Sequence, residues 1–466
     1  MKRTAQFFKE SIFVALVLAL FGCGLEKPLP KQPNIILITL ESLRPDHVGS
    51  YTGPRPTTPM LDRLAEESVV YDEAHSVTSW TLASHASIFT GLYPSAHGAN
   101  QSRSRLDDMP TLARLLREEG YQTAGFASGP YLARNHNLSQ GFEFYDDSPA
   151  TLGTQGGAHK DVTNVKMVSA IHRFLKKERK PESPLFLFAY FWDPHYDYIP
   201  PSPYDRMFVD DEMTRINLEG YESNSLISSE LEAEEIRFIL SQYDGEIAWT
   251  DQMLERVFDA LKQASLWEDS LVIVTSDHGE EFFDHGKKGH KKSLYVESVH
   301  VPLFVKFPRA TRTGRDARLV SLVDLFSTVL ETAGVADIPD HQGHSLLRPV
   351  PEDRSIFFEL LASHYFQDAD RSGYTRKDEE WFAVRKGDWK LVTVPEQGRR
   401  ELYAVGADPV EQFDIAITDP ARVDAMEALI ALWLKNSVDF AENRNAAEAV
   451  LSEDQLERLR ALGYVE

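Results

Sequence analysis

The chain has 466 residues, enough for one large domain or for a large domain with a smaller companion. Hydrophobic residues make up 42% of the sequence and charged residues 26%, which is ordinary for a globular protein. The formal net charge of −23, with no basic stripe to offset it, argues against nucleic acid as a main partner and suits a soluble protein held off an anionic membrane surface.

The first residues are typical of a bacterial lipoprotein signal. A basic start precedes an apolar run over 12–21 that is too short to span a bilayer comfortably. The run leads to Cys23, the single cysteine of the chain, at the position that would carry a lipid. We therefore predict a signal peptide over 1–22, acylation of Cys23, a Pro-rich tether over 23–33, and a lipid-anchored place in the bacterial cell envelope, facing the periplasm or the exterior. A plain signal peptide with an incidental cysteine is the alternative.

Four short apolar runs predict strands buried in a parallel sheet. They begin at Asn34, Tyr121, Ser183 and Asp269 and read NIILITLES, YQTAGFAS, SPLFLFAYFW and DSLVIVTSDHG. Helical patterns lie between them, among them TTPMLDRLAEES, TLARLLREEG and DGEIAWTDQMLERVFDALKQA. Strands that alternate with helices predict a doubly wound α/β domain over 34–338, with a mostly parallel sheet flanked by helices.

The pattern changes after about residue 340. The segments RSIFFELL, EEWFAVRKGDWKLVTV and RRELYAV predict strands of an antiparallel sheet, with turns at 387–388 and 397–398. A helical pattern follows at DPARVDAMEALIALWLKNSV. We therefore predict a smaller C-terminal α+β subdomain over 339–466.

Polar side chains follow three of the predicted parallel strands. Glu41 follows the first strand, the run 192–195 follows the third, and Asp277 and His278 follow the fourth. Because ligands of such folds bind at the C-terminal ends of the strands, we expect these side chains to face one pocket. The alternative is a helix cap or turn position for the two carboxylates and a core position for His278.

The stretch WTLASHASIFTGLYPSAHG, residues 80–98, allows two interpretations of Thr81. A hydroxyl residue before an apolar run is typical of a helix N-cap. A hydroxyl at a helix start also lies beside unpaired N–H groups and the positive end of the helix dipole, where anions bind. For this stretch alone, the cap is the simpler interpretation.

Several motifs come in an order that resembles the sulfatase family of the alkaline phosphatase superfamily. They are PNIILITLESLRPDHVGSY, TLASHASIFTG, VTSDHGEEFFDHG, LYVESVHVPLFVKFP, LVDLFSTVLETAGV, GDWKLV and ELYAVGADPVEQFDIA. The resemblance covers nearly the whole chain after the tether. It implies an alkaline-phosphatase-like α/β catalytic domain, a divalent metal, and a hydroxyl nucleophile at a helix start, which would be Thr81.

The chain departs from the sulfatase pattern around this nucleophile. Family sulfatases carry a Cys, sometimes a Ser, that is oxidised to formylglycine, with an Arg four residues on, whereas this chain has Thr81 and His85. They also usually pair two Asp residues where this chain has Glu41 and Ser42. Threonine cannot become that aldehyde, so no formylglycine is expected.

The set Glu41, Thr81, Asp277 and His278 instead resembles the one-metal site of lipoteichoic acid synthases and phosphoethanolamine transferases. Those relatives use a Thr to form a phosphoryl intermediate. The resemblance implies one divalent ion at these four residues. An imidazole ligand favours Zn²⁺ or Mn²⁺, while Ca²⁺ would be expected if the protein behaves as a sulfatase.

Further residues match positions that contact the substrate in these relatives. His195 matches a histidine that contacts the ester group, which implies a catalytic and substrate-binding role. His290, Lys291 and Lys292 match a region with substrate-binding His or Lys. His85 is a candidate catalytic residue that either hydrogen-bonds the nucleophile or only packs. The alternatives are a turn position for His195 and a solvated charge cluster for 290–292.

Together these features predict a metal-dependent hydrolase or transferase that attacks a phosphate or sulfate ester through Thr81. A phosphate ester is favoured because a formylglycine sulfate can collapse by elimination, whereas a threonine sulfate must await a second displacement. The partner would be an anionic ester of a glycan, a lipid or a small molecule. One alternative is a true sulfatase that acts without formylglycine. Another is a catalytically silent lipoprotein that binds anionic glycans or lipids, which is disfavoured because buried carboxylates are costly without a metal.

Overall fold

The computed structural model describes residues 30–100, 104–150, 163–195, 197–361 and 379–441, with side chains up to 437. The predicted signal peptide, Cys23 and most of the tether lie outside the described residues. The chain divides into two units, Met1–Lys31 and Gln32–Glu466, and every strand among the described residues belongs to the second. Among the described helices, none combines the length and the apolar character that a membrane crossing requires.

The described part of the second unit contains fourteen strands in three sheets. In chain order they are β1 (Ile35–Leu40), β2 (Val69–His75), β3 (Gln122–Ala127), β4 (Phe144–Asp146), β5 (Leu185–Phe191), β6 (Leu271–Ser276), β7 (Glu281–Phe282), β8 (Lys288–Gly289), β9 (Leu303–Lys306), β10 (Gly314–Ser321), β11 (Ser355–Leu360), β12 (Trp381–Lys386), β13 (Trp389–Val394) and β14 (Arg399–Ala404). The largest sheet has eight strands in the order β10-β2-β9-β6-β1-β5-β3-β4. Only β9 runs antiparallel to its neighbours, so the predicted mostly parallel sheet is confirmed.

The four strands predicted from apolar runs correspond to β1, β3, β5 and β6. Every residue of these strands is buried. Their near-continuous apolar sequences are typical of central parallel strands that are covered on both faces. The outer strands β2 and β10 include half-buried or exposed polar residues, which is why their sequences lack this signal.

Ten helices accompany the sheets in the described residues. They are α1 (Pro59–Glu66), α2 (Thr81–Thr90), α3 (Pro94–His97), α4 (Leu112–Glu118), α5 (Asn164–Lys177), α6 (Tyr204–Met207), α7 (Ala233–Gln263), α8 (Val296–Val299), α9 (Asp324–Ala333) and α10 (Pro420–Ala441). The predicted helices correspond to α1, α4, α7 and α10. Helix α7 begins well before the predicted start at Asp244, because Glu232 and Glu235 form a capping box that satisfies its first N–H groups.

The predicted second sheet is also confirmed. Strands β11 to β14 form an antiparallel sheet in sequence order, and β12 and β13 are joined by a turn at 387–388. Helix α10 packs on this sheet, where Val423, Met426 and Ile430 join Val384 and Leu391 in one apolar cluster. This burial explains why a helix at the end of the described chain stays attached to the sheet.

The register of the large sheet positions the polar residues that follow its strands. β1 lies between β5 and β6, and Leu40 at its end is opposite both Phe191 and Ser276. The three strands therefore end at one level. The residues that follow them leave the sheet at the same edge.

Candidate active site

The predicted pocket forms at this edge of the sheet. Glu41 follows β1, and Asp277 and His278 follow β6, while Thr81 opens α2. One ligand atom from each of Glu41, Asp277 and His278 lies within 4.8 Å of the others, and all three residues are fully buried. Three residues far apart in sequence thus meet because their strands end together.

The hydroxyl of Thr81 points at this cluster and does not cap its helix. Trp80 occupies the N-cap position, and no side-chain cap bond is formed there. Thr81 Oγ1 lies 3.2 Å from Nε2 of His278 and 3.3 and 3.4 Å from the two carboxylate oxygens of Glu41. Its first-turn position also places it beside the N–H groups at the positive end of α2.

Glu41 is held by two hydroxyl donors that the sequence did not reveal. Ser42 Oγ donates to Oε1 at 2.8 Å, and the Tyr190 hydroxyl donates to Oε2 in a short hydrogen bond. Tyr190 lies on β5 next to Gly129, where an added Cβ would come 2.6 Å from the tyrosine ring. Glycine at 129 therefore leaves the space that Tyr190 needs to reach Glu41.

Asp277 is only partly satisfied by its surroundings. Its Oδ1 accepts hydrogen bonds from the main-chain N–H groups of Ser42 and His278, at 3.2 and 3.0 Å. Its Oδ2 is buried without a hydrogen-bond donor, 3.5 Å from His278 Nε2. Ser84, on α2, donates to the Asp277 carbonyl at 2.7 Å, which fastens the helix to the end of β6.

His278 presents Nε2 to the pocket because its other nitrogen is occupied. Nδ1 lies 2.8 Å from the carbonyl oxygen of Gly279, to which it donates. Gly279 itself is confined, since a Cβ there would lie 1.9 Å from the carbonyl oxygen of Glu297. Any other residue would displace the segment that fixes the imidazole.

The electrostatics of the cluster are those of a site that needs positive charge. Burial and the charge of Glu41 raise the pKa of Asp277 well above its usual range. Burial also disfavours ionised Glu41, yet the neighbouring His278 holds the pKa of that carboxyl well below its usual range. Burial disfavours the imidazolium of His278, but Asp277 and Glu41 raise its pKa to about 10. The acidic side chains of Glu41 and Asp277 therefore favour the cationic form of the imidazole.

These residues fit a divalent cation. The donor set is two carboxylates, one imidazole and a hydroxyl, and the unsatisfied Oδ2 of Asp277 is the kind of buried oxygen that a cation compensates. Oxygen and imidazole donors together suit Zn²⁺ or Mn²⁺. The identity of the ion stays a prediction.

His85 lies beneath Thr81, with both ring nitrogens engaged. Nδ1 is 2.8 Å from the main-chain carbonyl of Thr81, and Nε2 is 2.8 Å from Thr39 Oγ1. Burial lowers the pKa of His85 to about 4, so the ring is neutral and donates to that carbonyl. Its ring also packs edge-on against Tyr190 at 4.7 Å. His85 thus touches the backbone of Thr81 and the support of Glu41, and its catalytic role stays a prediction.

His195 and His290 lie on the same pocket. Their ring centroids are 5.3 Å apart, and the His290 ring lies 4.5 Å from that of His278. Both residues are buried, and one nitrogen of each lies within 4.8 Å of Glu41 and of the other. The structure places both histidines close to Glu41, and His290 close to His278. Their contact with substrate stays a prediction.

Lys291 and Lys292 differ in their surroundings. The Lys291 ammonium stands 4.0 Å from the centre of the Trp80 ring, and burial lowers its pKa to about 7. Lys292 forms an ion pair with Glu222 and donates to the carbonyl of Lys288 at 2.8 Å. Lys291 therefore lies beside Trp80 at the start of α2, whereas Lys292 connects the loop that carries both lysines to its neighbours.

Tyr190 and Glu280 are the site residues that sequence reasoning missed. Tyr190 lies within the apolar run of β5, so nothing in the pattern distinguishes it from a core residue. Glu280 is fully buried two residues after His278, and its carboxylate oxygens lie 3.1 and 3.3 Å from Nδ1 of His290. Its acidic side chain directly after the DHG motif was the signal that could have identified it.

Comparison with known proteins shows which protein families the chain resembles. The family model described as Sulfatase matches residues 33–335, and one described as N-sulphoglucosamine sulphohydrolase, C-terminal, matches residues 282–434. Arylsulfatase K of Gallus gallus is 25% identical over 446 residues, with 86% of this chain and 82% of the relative covered. N-acetylglucosamine-6-O-sulfatase of Bacteroides thetaiotaomicron is 21% identical over 479 residues, with 84% of each chain covered.

A solved structure agrees with these sequence matches. The phosphonate monoester hydrolase of Agrobacterium radiobacter superposes with a TM-score of 0.68 at 23% identity, with 87% of this chain and 96% of that chain covered. At this identity the likeness shows the fold alone. The family model, by contrast, spans well over half of the chain and includes every predicted site residue except Cys23. The chain belongs to the sulfatase family.

Proposed function

We propose that the protein hydrolyses sulfate esters of a sugar, with Thr81 as the nucleophile and a divalent cation held by Glu41, Asp277 and His278. Family membership supports ester hydrolysis, and the names of the relatives, arylsulfatase K and N-acetylglucosamine-6-O-sulfatase, support sulfuric esters and a sugar substrate. The observation that carries the proposal is the position of Thr81 Oγ1. It lies 3.2 Å from His278 Nε2 and within 3.4 Å of both oxygens of Glu41.

The reaction takes place in two displacements. When bound, the cation would favour the alkoxide of Thr81 and neutralise charge on the ester. Oγ1 of Thr81 forms a bond to sulfur while the bond from sulfur to the sugar oxygen breaks. The sugar leaves as an alcohol, and the proton it gains balances the one that Thr81 loses. Water then attacks the same sulfur, which restores the Thr81 hydroxyl and releases sulfate.

The residues around Thr81 have separate tasks in this scheme. Ser42 and Tyr190 orient Glu41, and the N–H groups at the start of α2 face the developing negative charge. His195 and His290 line the same pocket and are the proposed contacts to the oxygens of the ester. Lys291 adds a cation beside Trp80.

A phosphate ester is the second candidate, favoured by the threonine itself. A sulfated formylglycine can release sulfate by elimination, whereas an ester formed on Thr81 must await a second displacement. Threonine therefore lacks the elimination route that makes formylglycine suited to sulfate esters. A second displacement can take place equally well at the phosphorus of a phosphothreonine. Transfer to another alcohol in place of water belongs to this second candidate.

We also propose that the mature chain is anchored to a membrane through Cys23, in the bacterial cell envelope. The basic start, the short apolar run and the single cysteine of the sequence support this. A Cys23→Ser variant should move from the membrane fraction to the soluble envelope fraction. Equal retention of the variant and the parent in the membrane fraction would contradict the anchor.

The experiment that tests the reaction compares Thr81→Ala with the parent on aryl sulfates, aryl phosphates, phosphodiesters and sulfated amino sugars. We expect turnover to fall by ~10³-fold or more, because the nucleophile is lost while its binding pocket remains. Thr81→Ser should retain part of the activity. Thr90→Ala is the matched control, since Thr90 lies on the same helix and its hydroxyl donates to the Ala86 carbonyl, away from the cluster.

Chemical quenching during turnover locates the intermediate. With radiolabelled sulfate or phosphate esters, the label should appear on the peptide that contains Thr81 and be absent in Thr81→Ala. Label from the sulfate ester supports the sulfatase, and label from the phosphate ester alone supports the second candidate. Parental turnover in Thr81→Ala would overturn both.

A further inference from the structure

One helix, α7, contacts two separate parts of the pocket. The hydroxyl of Tyr243 on this helix donates to the carbonyl of Ser42, directly after Glu41, at 2.7 Å. On the next turn of the helix, Glu246 bonds to the segment that carries His195. Because a helix is a rigid element, α7 can fix the position of His195 relative to Glu41.

Glu246 binds the main chain at two places in the turn that follows β5. The N–H of Ile199 donates to Oε1 at 2.8 Å, and the main-chain N–H of His195 is a second donor to the same carboxylate. Burial and the neighbouring Asp193 raise the pKa of Glu246, whereas these two hydrogen bonds act in the opposite direction. The side chain therefore connects both places in the turn to the helix.

The neighbouring positions of α7 face the same segment. Thr250, four residues after Glu246 and so on the same face of the helix, donates to the carbonyl of Asp193 at 3.0 Å. At Gly245 an added Cβ would lie 2.6 Å from the carbonyl oxygen of Tyr204. The glycine therefore lets the segment after β5 approach the helix closely.

Helix α7 is held in the fold by other residues. Tyr243 and Ile247 on this helix belong to the main apolar core. A buried carboxylate costs free energy, and an apolar side chain would pack a helix against its neighbours without that cost. Glu246 instead binds a segment in which Ile199 is 36% exposed and His195 faces the pocket. Such a departure from simple packing is expected where the position of a residue matters for function.

We propose that Glu246 is a positioning residue for His195. Its carboxylate holds the main chain on both sides of the turn, so that the imidazole stays packed on Trp192, with ring centroids 4.7 Å apart, and faces His290. Gly245 permits the close approach to α7 on which this contact depends. The proposal rests on the proposed function to the extent that His195 contacts the ester.

A double-mutant cycle with His195 tests the proposal. Glu246→Met removes the acceptor with little change in volume, and we expect kcat/KM to fall by about 100-fold, because a misplacement of about 1 Å can have an effect of this size. In a His195→Gln background the same change should lower kcat/KM by no more than about twofold, since the group that Glu246 positions is absent. Glu246→Gln keeps an oxygen for the two N–H groups and should retain most of the activity. Equal losses in both backgrounds would overturn the proposal.

Asp251→Leu is the matched control. Asp251 is a buried carboxylate on the same helix, and it accepts from the main-chain N–H groups of Met60 and Leu61 at 2.7 and 2.9 Å. The variant loses the same kind of hydrogen bond away from the pocket, so we expect lower stability and a parental kcat/KM per folded molecule. A loss of kcat/KM equal to that of Glu246→Met would show a general effect of damage to α7 and overturn the specific role.

A crystal structure of Glu246→Met locates the imidazole without any measurement of turnover. The ring of His195 should move by about 1 Å or more relative to His290. If this variant does not fold, Gly245→Ala decides, because alanine favours a helix while its methyl group displaces the carbonyl of Tyr204. We expect the same movement of the ring there, and an unmoved His195 would overturn the proposal.

The outcomes separate this proposal from the proposed function. Parental kcat/KM in folded Glu246→Met would overturn the positioning role and leave the proposed function standing. A parent that turns over no sulfate or phosphate ester would overturn the proposed function. In that case the position of His195 in the variant structure still supports or overturns the role of Glu246.

Discussion

Two buried sites of the molecule treat their charges in opposite ways. In the small sheet, Lys390 donates to both oxygens of Glu411 at 2.8 and 2.9 Å, and Val296 N–H donates to one of them at 3.0 Å. In the pocket, Asp277 has one oxygen with two donors and one oxygen with none. Both sites are buried, so the difference does not come from access to water.

The difference indicates what each site is for. A buried carboxylate that is fully paired holds two elements together, here β13 and the segment that leads to α10, without needing anything further. A buried carboxylate with an unsatisfied oxygen costs free energy in the absence of a partner. The Oδ2 atom of Asp277 lacks a hydrogen bond from the described residues, and a cation from outside the chain would compensate it.

The largest effect should come from Asp277→Asn. The amide keeps an oxygen for the N–H groups of Ser42 and His278 but removes the negative charge. We expect the loss of the cation held with His278 and a fall in turnover of ~10³-fold or more, because the charge that stabilises the nucleophile is lost. The melting temperature of the metal-free protein should change little, since burial and Glu41 already disfavour the charged form of Asp277.

The control for this variant is Asp251→Asn. Asp251 is also buried, but its two oxygens accept from the N–H groups of Met60 and Leu61 at the start of α1. It should keep its metal content. Full metal content and turnover in Asp277→Asn would contradict the conclusion that Asp277, unlike Glu411 in the small sheet, needs a cation.

The next effect concerns stability alone. Lys390→Met leaves Glu411 buried without its cation, and we expect the free energy of unfolding to fall by about 3–5 kcal/mol in urea denaturation. Zinc content per folded molecule should not change. Lys386→Met, on the neighbouring strand and half-buried, is the matched control and should have little effect. Equal stability of Lys390→Met and the parent would mean that the pair only fills space.

A smaller effect is expected from Tyr190→Phe. The variant keeps the ring that packs on His85 and removes only the hydroxyl that donates to Glu41. Metal affinity should fall by about 10- to 100-fold, because a ligand loses the donor that orients it. Tyr51→Phe loses a buried hydroxyl that bonds main-chain oxygens elsewhere, and it should leave affinity unchanged. If the two variants bind metal equally well, Tyr190 does not position Glu41.

In the large sheet, the strands that could be predicted from sequence are the completely buried ones of six or seven residues. The strands β1, β3, β5 and β6 are buried throughout, so their apolar runs were unambiguous. Strand β10 pairs only with β2 and has exposed residues at its start, so no pattern marked it. The early start of α7 also escaped, because its first residues, Ala233–Glu235, lie at the exposed end of the helix.

The grouping of Glu41, Asp277 and His278 with Thr81 could be predicted because each follows a recognisable strand or opens a recognisable helix. Their role as metal ligands stays a prediction. What could not be predicted is how they are held. The bond from Tyr190 to Glu41 depends on the space left at Gly129, and the bond from Glu280 to His290 depends on the path of the chain through β7 and β8. Both are contacts between segments whose separation in space the sequence does not encode locally.

The common level at which β1, β5 and β6 end has a consequence for how this enzyme can change. Leu40 is held opposite both Phe191 and Ser276, so an inserted or deleted residue in β1 would turn Glu41 to the other face of the sheet. Insertions in these strands should therefore abolish the site, while the loops that follow its residues can vary in length. New substrates are thus reached by exchanging the loops around a catalytic frame whose strand lengths do not change.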